Sequence, residues 1–156
     1  MLDTMQDGAS APQGGNTGLV EGTLVLTLRG TLPVEALKPG DRIITRAGAL
    51  RLACVDMRLE ARARLVRVSA AALGAERPDA DITVAADQPI LVRDWRARAL
   101  ADADRAMIPA GRLVDGEYIR THAMRDARLY VLHFDVAAVI YAQGLELACE
   151  PAMAPA

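Results

Sequence analysis

The stretch from Gly22 to Arg46, GTLVLTLRGTLPVEALKPGDRIITR, changes side-chain character with a period of two and is broken at short intervals by glycine and proline. Leu24, Leu26 and Leu28 alternate with Val25 and Thr27, and Gly30 then turns the chain. Lys38-Pro39-Gly40-Asp41 is a type II turn signature, because proline fixes φ at one central position and glycine supplies a positive φ at the next. No helix of useful length fits between such breaks, so the pattern predicts strands at Leu24–Leu28, Val34–Leu37, Arg42–Arg46 and Ala49–Met57, the last two joined by Ala47-Gly48. Further strand text stands at Arg64–Val68, Asp81–Ala85, Ile90–Val92, Ala106–Ile108, Arg128–Asp135 and Val136–Leu147. Helix is expected only at Trp95–Asp104, with a turn at Ala70–Gly74. Many short strands with glycine and proline between them predict an all-β domain carrying one or two short helices.

A chain of 156 residues, 52% hydrophobic, is long enough for one domain with its own core. Aromatic residues make up only 3%, so Leu, Val, Ile and Ala must build that core. The polar, glycine-rich residues 1–17 and the tail at 152–156 are expected to be disordered, leaving 18–151 as the folded domain. No apolar run approaches the roughly 20 residues of a membrane-spanning helix. No basic segment followed by an apolar one marks a signal peptide, so the expected location is the cytoplasm, leaderless export aside. All basic residues but Lys38 are arginine, yet they lie among acids and the net charge is −2, which argues against nucleic-acid binding. Cys54 and Cys149 are too few for a disulfide framework, and both stand in apolar strand text; whether they pair is left open.

Titratable residues outside that frame have modest readings. His133 and Asp135, two apart on one strand face, offer only two ligands, and a histidine satisfied by a nearby carbonyl fits better. His122 stands in polar text and is expected to be solvated. Asp79, Asp81 and Asp87 are expected to be turn residues flanking the Ile82–Val84 strand rather than calcium ligands. The lone Trp95 suits a core plug or staple, and Arg96, Arg98 and Arg105 a solvated face beside Asp94, Asp102 and Asp104. Neither a metal site nor a cofactor is expected.

Three segments in order carry a family resemblance: Gly22–Gly48 with its PVEAL-x-PGDRIxTR element, Leu65–Leu91 with ALG-x-x-RP-x-x-D, and Leu113–Ile119 followed by Tyr130–Pro151. Together they resemble the bacterial branch of the Hedgehog/intein (Hint) family. The resemblance implies a Hint-type, pseudo-twofold β fold and self-processing chemistry. In active members the first residue of the module, Cys or Ser, attacks the preceding carbonyl, and a histidine protonates the departing amine. Gly22 and Thr23 match the family's Gly-Thr, which sets the nucleophile position at Gly18, a residue without a side chain. The family's second-block histidine falls on Gln88, which cannot act as an acid. In the last block Asp135 matches, but Ala137 and Ala138 follow in place of the polar pair, and no C-terminal His-Asn for splicing is present. The resemblance therefore implies a degenerate, catalytically inactive Hint-like domain, a structural or interaction module with an unnamed protein partner, and no enzyme. Two alternatives stand beside it: residual autoprocessing by an N-to-S/O acyl shift through Thr17 or Cys54, and an unrelated small β-barrel binding protein. The Hint alignment requires Gly18 to lie close to Gln88 or Asp135.

Overall fold

The computed structural model describes residues 17–74 and 77–152. The expected tails fall outside these residues, except for Thr17 and Ala152. The first strands follow the period-two text: β1 (Leu19–Val20), β2 (Leu24–Thr27), β3 (Gly30–Pro33), β4 (Arg42–Thr45) and β5 (Gly48–Arg51). The type II turn before β4 forms as expected, with Gly40 at φ +96° and the Asp41 amide donating to the Lys38 carbonyl at 3.0 Å. Val34–Ala36, however, is a 3₁₀ turn and not a strand. Pro33 precedes it and removes a ladder donor, while the Val34 amide donates to Thr23 O and drives the Val34 side chain into the core.

The largest difference from the expected strands lies in the middle of the chain. β6 (Cys54–Val68) and β10 (Ile119–His133) are each 15 residues long and pair antiparallel along their length, from Ile119↔Val68 to His133↔Cys54. Their charged centres, RLEARAR and THAMRDAR, lack a clean alternation because much of this ribbon is wet on both faces. The run expected at Ala49–Met57 is cut at Leu52, whose backbone bonds back to Gly40 and Asp41 and whose side chain is buried. His122 is consequently a half-buried residue within β10, not a loop residue.

The remaining elements are β7 (Ile82–Ala85), β8 (Pro89–Val92), α1 (Trp95–Ala101), β9 (Ala106–Pro109), β11 (Ala138–Ala142) and β12 (Leu145–Cys149), with a second 3₁₀ turn at Ala110–Leu113. Helix α1 is capped by the Asp94 carboxylate, which accepts from the Arg96 amide. It ends at Ala101 rather than Asp104 because Asp102 adopts a left-handed φ of +54°. Trp95 is not a core plug: it is 69% exposed, with the Arg96 guanidinium 4.9 Å from its ring centroid.

Strands β1, β10, β6 and β7 close into a small barrel, and the others form a second sheet in the order β3-β2-β4-β11-β12-β8-β9, with β5 paired to β4. The main core is aliphatic, built around Val25, Ile43, Leu52, Ile90, Ile140 and Leu147, with Phe134 as its aromatic member. A smaller cluster of Ala63, Leu65, Ala85, Ala127 and Leu129 packs along the barrel strands. Cys54 and Cys149 are both free thiols.

Candidate functional site

The entry of the chain into the barrel is tightly held. Gly18 is buried, with φ +124°, and its carbonyl accepts from the Ala85 amide at 3.0 Å. Its own amide donates to Gln88 Oε1 at 3.0 Å, across 70 residues of sequence. Gln88, itself only 5% exposed, is locked in that orientation, because Nε2 donates to Ala148 O at 2.8 Å and to Pro89 O at 3.2 Å. On the other side of the same peptide bond, Arg58 Nη2 donates to the Thr17 carbonyl at 3.1 Å. The Thr17–Gly18 peptide is thus held at both ends, its N–H by a side-chain carbonyl and its C=O by a guanidinium.

This arrangement can polarise the Thr17 carbonyl, while position 18 itself carries no side chain. A Cβ at position 18 would stand 3.0 Å from Tyr130 O and 3.1 Å from Val131 Cγ2, and the positive φ disfavours any L side chain. Gln88 faces the amide as an acceptor, so it holds the proton already there and supplies none to a departing nitrogen. Gly22 and Thr23 serve the fold: the Gly22 amide donates to Glu35 Oε1 at 2.7 Å, and Thr23 Oγ1 donates to Val20 O at 2.8 Å. Asp135 and Ala137 lie exposed in the bend between β10 and β11. The structure therefore joins Gly18 to Gln88 and gives Asp135 no bond to either.

His133 is placed otherwise than expected. Its partner is a carboxylate rather than a carbonyl: Nε2 lies 3.1 Å from Asp56 Oδ2 across the ribbon, while Nδ1 is buried without a hydrogen-bond partner among the described residues. Burial, and then the nearby Asp56 charge, push the Cys54 thiol above its ordinary pKa; burial, and then Glu150, push Cys149 up to about 12. Asp81 accepts from the Ala70 amide and from Arg67, in keeping with a turn role. Arg98 pairs with Asp102 and Asp104, and Arg96 with Asp94 and Asp115. Sequence reasoning missed Arg58, whose polar surroundings gave no signal before the ribbon register was known. It also missed Glu146, a buried carboxylate met by Arg46, Arg77 and Arg93.

A sequence model described as the Hint domain matches residues 17–152. Among solved structures, an intein-like domain from Clostridium thermocellum superposes with a TM-score of 0.56 at 16% identity, covering 85% of this chain and 97% of its own. The MchDnaB-1 intein does so with a TM-score of 0.56 at 12% identity, covering 85% and 99%. The gp41-1 intein gives 0.52 at 11% identity, covering 86% and 98%. At these identities the likeness is one of fold. No curated protein matches the chain significantly.

Proposed function

The chain belongs to the Hint domain family, and from that premise we propose that this member is catalytically silent, a self-processing scaffold serving as a structural or protein-interaction module. The carrying observation is Gly18: at the position where the family's alignment requires a thiol or hydroxyl, the backbone has a φ of +124° and a Cβ would meet Tyr130 O at 3.0 Å. Attack on the adjacent carbonyl needs a nucleophile at that one position, since only there does the reacting ring close. Gln88 supports the reading, because an amide oxygen on the Gly18 N–H holds the ground-state peptide and cannot protonate a leaving amine.

The autoprocessing alternative would have to run through Thr17 or Cys54. Thr17 is one residue out of register: its hydroxyl could close the reacting ring only on the carbonyl of residue 16, whereas the peptide seated by Arg58 and Gln88 is the one after it, Thr17–Gly18. The Cys54 thiol has a raised pKa, opposite to what activates a cysteine nucleophile. The test is an N-terminal fusion carried through to residue 156, incubated for days with dithiothreitol or hydroxylamine and followed by intact mass. The mass is expected to stay constant. Cleavage on either side of Thr17, or before Cys54, would overturn the proposal.

A further inference from the structure

The Cys54–His133 end of the β6–β10 ribbon gathers three side chains of metal-binding chemistry. Cys54 and His133 are directly opposite in the antiparallel register, and Asp56, two residues along β6, projects from the same face. One ligand atom from each lies within 4.8 Å of the other two. His133 Nε2 is already 3.1 Å from Asp56 Oδ2. The ring is otherwise poorly satisfied: Nδ1 is buried and has no partner among the described residues, and the side chain as a whole is 16% exposed. Buried polar atoms are seldom left in that condition.

We propose that Cys54, Asp56 and His133 form a site for a divalent transition-metal ion of the Zn²⁺ type. The donor set of one thiolate, one imidazole and one carboxylate suits zinc in kind and number, leaving a fourth tetrahedral position for water or for a residue of a partner. Zn²⁺ bonds of about 2.0–2.3 Å put ligand atoms roughly 3.3–3.8 Å apart, so closure asks for about an ångström of side-chain rotation. Asp56 supplies that freedom, its side chain being 71% exposed, while the paired backbones of β6 and β10 hold the other two in place. Binding replaces the Cys54 thiol proton by the metal, releasing one proton to solvent per ion bound. No oxidation or reduction is involved. The site stands one strand pleat from the Gly18 seat, since Val131, which would touch a Cβ at position 18, precedes His133 by two residues on β10. A bound ion would therefore stiffen the strand end against which the Thr17–Gly18 peptide is seated.

The experiment is a Co²⁺ titration of the full reduced chain. A thiolate-to-cobalt charge-transfer band saturating at one equivalent, and bleached by added Zn²⁺, is the expected result. Cys54→Ser should abolish the band and Cys149→Ser should leave it intact. Asp56→Asn, at an exposed position that does not threaten folding, and His133→Gln should weaken Co²⁺ binding by more than the ~10–100-fold that loss of an outer-shell partner costs. Absence of the band at stoichiometric Co²⁺, or its persistence in the Cys54→Ser variant, overturns the proposal. So does unchanged affinity in a folded Asp56→Asn variant.

Discussion

Any side chain placed at residue 18 meets two obstacles, the Tyr130 carbonyl oxygen 3.0 Å from the position of its Cβ and a φ of +124° that L residues rarely adopt. Replacing Gly18 with cysteine thus tests more than the presence of a thiol. Strain of this type costs about 1–3 kcal/mol, so Gly18→Cys should lower the urea midpoint by that equivalent and still give no cleavage by intact mass. Efficient cleavage in that variant would mean that the seat is reactive and wants only a nucleophile. Gln88→Ala removes the acceptor from the buried Gly18 amide and should cost roughly 1–3 kcal/mol in the same measurement. The family resemblance singled out both positions, 70 residues apart in sequence, and the fold bonds one to the other. Arg58 was not legible: one arginine in RLEARAR looks like the next until the strand register aims it at the Thr17 carbonyl. The Cys54–Asp56–His133 group was hidden for the same reason, since the text joined His133 to Asp135, its neighbour in sequence, and not to Cys54, its neighbour across the ribbon.

Elements with one buried face announced themselves, and those without did not. Strands β2 and β4 alternate against the core and fall within a residue of their expected ends, whereas the middle of β6 (58–63) and the first part of β10 (119–127) had no expected counterpart, their charged centres facing water. The start of β10 is set instead by a side chain: Asp115 Oδ1 accepts from the amides of Glu117, Tyr118 and Ile119 at 2.8–2.9 Å. Burial acts to raise the Asp115 pKa, but those amide bonds together with Arg96 outweigh it and hold the carboxyl below its ordinary value. Asp81 shifts the same way through its Arg67 bond and then the Ala70 amide. A folded value below the unfolded one of about 3.9 means stability that is complete above that pH and lost as pH falls through the folded value. Acid unfolding should therefore steepen below about pH 4, and Asp115→Ala should lower stability by roughly 1–3 kcal/mol at pH 7 while flattening the acid limb. A variant that is as stable as the parent at pH 7 would remove Asp115 as the fastener of this turn.

At the scale of the molecule, the fold depends on ties between segments far apart in sequence. Glu146 on β12 gathers Arg46 beyond β4, Arg77 before β7 and Arg93 beyond β8, with its nearest oxygen 2.7 Å from Arg93 Nη2. Removing one partner of a buried ion pair costs about 3–5 kcal/mol; the guanidiniums are reached by water, so Glu146→Ala should fall near the lower end, with little relief from salt. The barrel has a weaker closure. Two residues, Leu19 and Val20, form the strand between β7 and β10, through Leu19↔Val84, Leu19↔Tyr130 and Val20↔Leu129. A chain beginning at Gly22 would lose that strand, the buried Leu19 side chain worth about 2 kcal/mol, and the cover on two sheet edges. Hydrogen exchange should then show Ala85, whose amide bonds to Gly18, and Tyr130 opening fast while Ile140 and Leu147, in the second sheet, stay protected. The bared edges should also make the truncated chain self-associate in light scattering. Equal acceleration in both sheets would mean that the molecule opens as one unit and that β1 is no local latch. Continued protection at Ala85 would mean that β7 and β10 close on each other without it.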